Sequence, residues 1–211
     1  IVDGGRIRTS HTDFGGRAVY VDGDPNLDFH ATHVAGTMVG GGVSNGDATG
    51  FAPASRLFGW NFDRDTIDLI ANVSNLFIAS NHSYGFDLGW DRNGRWVGDE
   101  GFGKYTLGAR RADQAIREFD IIWVKAAGND RGQGFGRESA GRPWDCQSGF
   151  DCIAGDGVAK NMLIIASTQR ATGDPIVPGS VVPSEFSSRG PTDDGRVKPD
   201  LAANGEDVLS I

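Results

Sequence analysis

The 211-residue chain has only 2 cysteines, 8 prolines and 20 basic residues against 28 acidic ones, and each shortage narrows what it can be. A net charge of −8 argues against the nucleic-acid phosphate backbone as a partner. No apolar run is long enough to cross a bilayer as a helix, so no membrane span is expected. Two cysteines, Cys146 and Cys152, are too few for a disulfide scaffold or a zinc cluster. They fit one local bridge in an exported protein or two free thiols. The first residues, Ile1-Val2-Asp3, carry neither a methionine nor a signal-like segment. This start cuts into a strand, so the expectation is an internal piece of a longer protein.

What the chain has in quantity is glycine, 32 residues, with 38% hydrophobic residues. That composition suits a loop-rich globular α/β chain, and the length suits one substantial core, hence a single domain over residues 1–211. Short apolar runs alternate with helical patterns. Ile1-Val2-Asp3 reads as the end of a buried strand, Ala18-Val19-Tyr20-Val21 as a short strand, and Phe51 to Trp60 as a loop leading into another. Residues 65–80 have helical spacing and precede a strand at Asn81-His82-Ser83-Tyr84-Gly85. Residues 110–119 form an amphipathic helix with Ala112, Ala115, Ile116 and Phe119 on one face. Ile121 to Ala127 is a continuous apolar strand but for Lys125, and Met162 to Ser167 is a further buried strand. Asn93-Gly94 between Trp90 and Trp96 signals a two-residue hairpin turn in a surface flap. Alternation of this kind predicts a three-layer α/β/α architecture with a mainly parallel central sheet.

In such folds the carboxyl ends of strands hold the chemistry. Asp3 stands at one such end, before Gly4-Gly5, and Asn129 at another, after Ala126-Ala127-Gly128. His30 opens the small-residue helix Phe29-His30-Ala31-Thr32-His33-Val34-Ala35-Gly36-Thr37. A first-turn histidine feels the positive end of the helix dipole, which favours a neutral ring able to act as a base. His33, one turn on, is expected deeper in the fold. A His30/His33 metal pair lacks the glutamate of His-Glu-x-x-His and any cysteine or histidine cluster nearby. The acidic turn Asp22-Gly23-Asp24 has donors for a structural calcium ion, or it is an ordinary solvated turn.

Taken in order, Asp3-Gly4-Gly5, His30 to Thr37, Ser83-Tyr84-Gly85, Ala126-Ala127-Gly128-Asn129, Phe186-Ser187-Ser188-Arg189-Gly190-Pro191 and Lys198-Pro199-Asp200 resemble the subtilisin-like serine peptidases, the subtilases, over essentially the whole chain. The resemblance implies Asp3 and His30 as acid and base of an Asp-His-Ser triad and Asn129 as oxyanion donor. It implies Ser83, Tyr84, Gly85, Ala126, Ala127 and Gly128 as the lining of the substrate cleft and specificity pocket, a polypeptide substrate, no required cofactor, a pro-segment in the parent protein, and export. Two features depart from the family. Gly4 and Ala31 stand where it usually has Ser or Thr and Gly, which removes one possible hydrogen bond to the Asp3 carboxylate. No Gly-Thr-Ser-x-Ala-x-Pro block occurs: Ser180 opens Val-Val-Pro, and Ser187 and Ser188 belong to the Arg-Gly-Pro block. The nucleophile is therefore expected beyond Ile211, and the chain alone is expected to be inactive. Two other classes compete: an inactive subtilase-like module that binds peptides or a partner, and a different α/β hydrolase or metal enzyme using His30 and His33.

Overall fold

The computed structural model describes residues 1–62, 78–85, 88–90, 93, 95–98, 101–131, 146, 149–172 and 176–211. They form two compact units, one of Ile1–Ser83 with Val208–Ile211 and one of Tyr84–Asp207.

The first unit is built on parallel strands β1 (Val2–Asp3), β2 (Ala18–Tyr20), β3 (Leu57–Asn61) and β4 (Ala79–His82), in the order β2-β3-β1-β4. Val2 pairs with Trp60 on one side and His82 on the other, so Asp3 lies at the carboxyl end of an interior strand. Helix α1 (Phe29–Val39) starts at Asp28, whose Oδ1 accepts from the Ala31 amide at 2.7 Å, as an N-cap carboxylate does. Its small residues Ala31 and Ala35, with Val39, repeat at helical spacing and bury against Ile1, Ile7, Phe14, Ala18 and Leu57. Gly36 has to be small, because a Cβ there would run into the Ser210 and Ile211 side chains. The helix expected over 65–80 falls outside the described residues up to residue 77. The strand after it starts two residues earlier than expected: it covers Ala79–His82, and Ser83 to Gly85 lie beyond its end.

The second unit carries parallel strands β7 (Ile122–Ala126), β8 (Leu163–Thr168) and β9 (Leu201–Asn204). Its antiparallel ribbon is β5 (Gly89–Trp90) with β6 (Trp96–Gly98). Trp90 pairs with Trp96, with a register shift between Gly89 and Trp90; the turn expected at Asn93-Gly94 falls outside the described residues at Gly94. Helix α2 (Leu107–Phe119) begins three residues before the expected start, because Thr106 caps it through the Ala109 amide. It buries Ala109, Ala112 and Ala115, and also Asp113. That carboxylate takes the Tyr105 hydroxyl at 2.7 Å and the amides of Lys160 and Asn161 at 2.9 and 2.7 Å, pinning the entry to β8 onto the helix. Cys146 and Cys152 are joined in a disulfide, fully buried beside Phe102.

Candidate active site

Asp3 and His30 are brought together in the first unit. Strand β1 delivers a carboxylate whose side chain is 4% exposed, and the first turn of α1 delivers an imidazole whose side chain is 48% exposed, with His30 Nδ1 2.8 Å from Asp3 Oδ1. A carboxylate only accepts, so Nδ1 carries the proton and Nε2 is left as the basic nitrogen of the ring. Asp3 Oδ1 also accepts from the Gly4 amide at 2.7 Å. Asp3 Oδ2 is buried without a hydrogen-bond partner among the described residues. That orphan oxygen is a physical counterpart of the hydroxyl missing at residue 4. The place a Cβ would take at Gly4 lies 3.3 Å from Phe62 Cε1, so the Phe62 ring borders that space.

The electrostatics of His30 differ from the expectation. The hydrogen bond to Asp3 is the main influence; together with the Asp3 and Asp28 charges it outweighs the partial burial that opposes it and holds the ring above its ordinary value of 6.5. A helix dipole supplies only partial charge at the first turn, whereas two whole carboxylates stand beside the ring. Asp28 is thus a functional neighbour that sequence reasoning passed over. Its signal was an acidic residue directly before the helix. His33 is exposed and not deep in the fold, with Nε2 3.1 Å from the Val208 carbonyl.

Asp3, Asp28 and His30 each place one potential metal-ligand atom within 4.8 Å of the others; His33 is not in this group. One oxygen of each carboxylate is already engaged, Asp3 Oδ1 by His30 and Gly4 and Asp28 Oδ1 by the helix amide, while Asp3 Oδ2 has no partner among the described residues. At the acidic turn, Asp22 Oδ2 accepts the Asn61 amide at 2.5 Å and Asp24 Oδ2 the Asn61 side-chain amide at 2.6 Å. Those carboxylates tie the turn to the end of β3.

Ser83 lies past β4, its Oγ accepting from Asn81 Nδ2 at 2.9 Å. The other sequence-predicted residues belong to the second unit. Tyr84 is half-buried and Gly85 exposed. Lys125, the single charge in β7, is 3% exposed and explains its own presence. Its Nζ donates to the Tyr84 carbonyl at 2.7 Å, stands 4.0 Å from the centre of the Tyr84 ring and ion-pairs with Asp156 at 3.2 Å. Burial lowers the lysine's pKa, and Asp156 opposes that shift. The strand carrying Ala126 is therefore fixed to the segment carrying Tyr84 and Gly85. Ala126 ends β7, Ala127 is buried, and Gly128 turns the chain at φ 104°. Asn129 follows it and is exposed. Geometrically, then, a buried carboxylate polarises an open imidazole in one unit, and a carboxamide stands on a tight turn at a strand end in the other.

Among curated proteins the chain is similar to pyrolysin of Pyrococcus furiosus, 27% identical over 232 residues that cover 89% of this chain and 16% of pyrolysin. Among solved structures it resembles the prenylagaramide maturation protease PagA (TM-score 0.60, 20% identity, all of this chain and 64% of that one). It also resembles sphericase (TM-score 0.57, 17% identity, all of this chain and 68% of that one). The chain thus spans less than two thirds of pyrolysin and of PagA. The structural likenesses establish the fold, three-layer α/β/α with a mainly parallel central sheet. Among the described residues no helix is long and apolar enough to cross a membrane. The family model described as the subtilase family matches residues 9–211, and the chain belongs to that family.

Proposed function

We propose that this chain is the acid–base portion of a serine endopeptidase that hydrolyses peptide bonds in proteins. The observation that carries the reading is the buried Asp3 carboxylate 2.8 Å from Nδ1 of a half-exposed His30 ring. A serine hydroxyl becomes a useful nucleophile only when a neutral imidazole takes its proton during attack, and a fixed carboxylate stabilises the imidazolium that results. His30 is the base that takes the proton and later returns it to the leaving amine. Asp3 orients the ring. Asn129 donates to the oxyanion; the known effect of such a donor, about 10²- to 10³-fold in kcat, was itself measured on subtilisin. The nucleophile is a serine outside residues 1–211.

The segments around Ser83-Tyr84-Gly85 and Ala126-Ala127-Gly128 hold an extended polypeptide substrate, with exposed backbone offering strand-like pairing. The buried Cys146–Cys152 disulfide supports an oxidising compartment and hence export. The test is hydrolysis of casein by the full-length protein and by its His30→Ala and Asn129→Ala variants. His30→Ala is expected to abolish turnover, and Asn129→Ala to lower kcat by roughly two orders of magnitude. Cleavage by His30→Ala at the parent's rate would end the assignment.

A further inference from the structure

The Phe186-Ser187-Ser188 block has no part in the chemistry above, yet it lies against the strand ends that the chemistry uses. Ser188 is fully buried. Its amide donates to the Gly128 carbonyl at 2.9 Å, and its Oγ accepts from the Asp130 amide at 2.9 Å. These are the two residues flanking Asn129. One residue later, the Arg131 amide reaches the Phe186 carbonyl at 3.3 Å. The other side of the block is fastened to the end of β8: Ser187 Oγ accepts from the Ser167 amide at 3.0 Å, and Ser184 Oγ meets Ser167 Oγ at 2.6 Å.

The turn itself leaves little slack. Gly128 sits at φ 104°, and a Cβ there would lie 2.8 Å from Asp130 Oδ2 and 2.9 Å from Ser188 Oγ. A side-chain donor aimed at a developing charge is effective only if it is held in place before the charge appears, since reorientation during the reaction would cost what the hydrogen bond gains. Asn129 is exposed, so neighbouring side chains do little to hold it, and its backbone has to.

We propose that Ser188 is a positioning residue for Asn129: one buried serine clamps the peptide on each side of the exposed carboxamide and fixes the direction in which it donates. The inference rests on the oxyanion role of Asn129. Removing Ser188 Oγ deletes the Asp130 clamp and leaves the Gly128 clamp, which comes from the backbone. In the full-length protein Ser188→Ala should therefore lower kcat about tenfold, a fraction of the Asn129→Ala effect, with KM within about twofold. Placed on Asn129→Ala, the same substitution should cost less than twofold more, because nothing is left to orient.

Melting temperatures of each variant separate positioning from folding. An equal loss of kcat from Ser188→Ala in both backgrounds, or no loss in the parent background, would overturn the proposal. If Asn129→Ala leaves kcat unchanged, the oxyanion role and the positioning role fall together. If the parent turns over no peptide at all, the functional reading falls, and the clamp is judged by amide hydrogen exchange. Exchange at Asp130 should then be at least tenfold faster in Ser188→Ala than in the parent; equal rates would refute it.

Discussion

Asp3→Asn is the most informative single change, because this structure predicts an outcome different from simple loss of ring orientation. Both hydrogen bonds to the carboxylate, from Gly4 N at 2.7 Å and His30 Nδ1 at 2.8 Å, end on the same oxygen, Oδ1. An asparagine that keeps its carbonyl there preserves both and puts its NH2 where Oδ2 now lies buried without a partner. The imidazole keeps its orientation and tautomer; what it loses is the negative charge. Two unit charges 2.8 Å apart attract by about 6 kcal/mol at an effective dielectric of about 20. The ring is half exposed, so solvent screening reduces this to about 3 kcal/mol. Turnover of the full-length protein should fall roughly 10²-fold, with KM little changed. The buried NH2 should cost a further ~1–3 kcal/mol of stability.

The sign of the pH dependence is fixed as well. His30 is held above its ordinary value of 6.5 in the folded chain. The stability that its pairing with Asp3 contributes is therefore full below that value and lost as pH rises through the folded one. The stability difference between parent and Asp3→Asn should be larger at pH 5 than at pH 8. Urea unfolding at the two pH values, with ring-nitrogen NMR of His30, reads all of this. A ring that loses its Nδ1 proton in Asp3→Asn, kcat within threefold of the parent, or a stability difference that grows with pH would show that the Asp3 charge does not act on His30 in this way.

Asp28→Asn keeps an oxygen to cap α1 and removes one of the charges that raise His30, so the acid limb of kcat/KM should move to lower pH, and His30 should titrate lower by NMR, with the helix intact. An acid limb that stays put or moves up would mean that Asp28 does not act on the ring. Asp113→Ala removes the acceptor shared by the Tyr105 hydroxyl and the Lys160 and Asn161 amides and should destabilise the fold by about 2–4 kcal/mol in urea unfolding. A loss under 1 kcal/mol would mean that water replaces the carboxylate at no cost.

The parts legible in the sequence were those set by local chemistry. Asp3 beside Gly4-Gly5 and His30 at the head of a small-residue helix could be placed because a strand end and a helix start each have short-range signals. The apolar run before Asn129 placed that residue beyond a strand in the same way. What escaped depends on partners distant in sequence. The direction of His30's shift needs Asp3 and Asp28 in space, and His33's exposure needs the rotation of α1. Lys125 looked anomalous in an apolar strand until Tyr84 and Asp156 were seen around it. Strand β9 escaped because Leu201-Ala202-Ala203-Asn204 has weak strand propensity and is exposed throughout; it is a strand because β8 pairs with it. The burial of Asp113 escaped because a helix pattern does not reveal a carboxylate that accepts from amides nearly fifty residues further on.

The central claim is that Asp3 and His30 activate a serine. Treatment of the full-length protein with a fluorophosphonate, followed by mass spectrometry, tests it most directly. A single modified serine outside residues 1–211 is expected, with modification abolished in His30→Ala. No modification of the parent, or undiminished modification of His30→Ala, would contradict it.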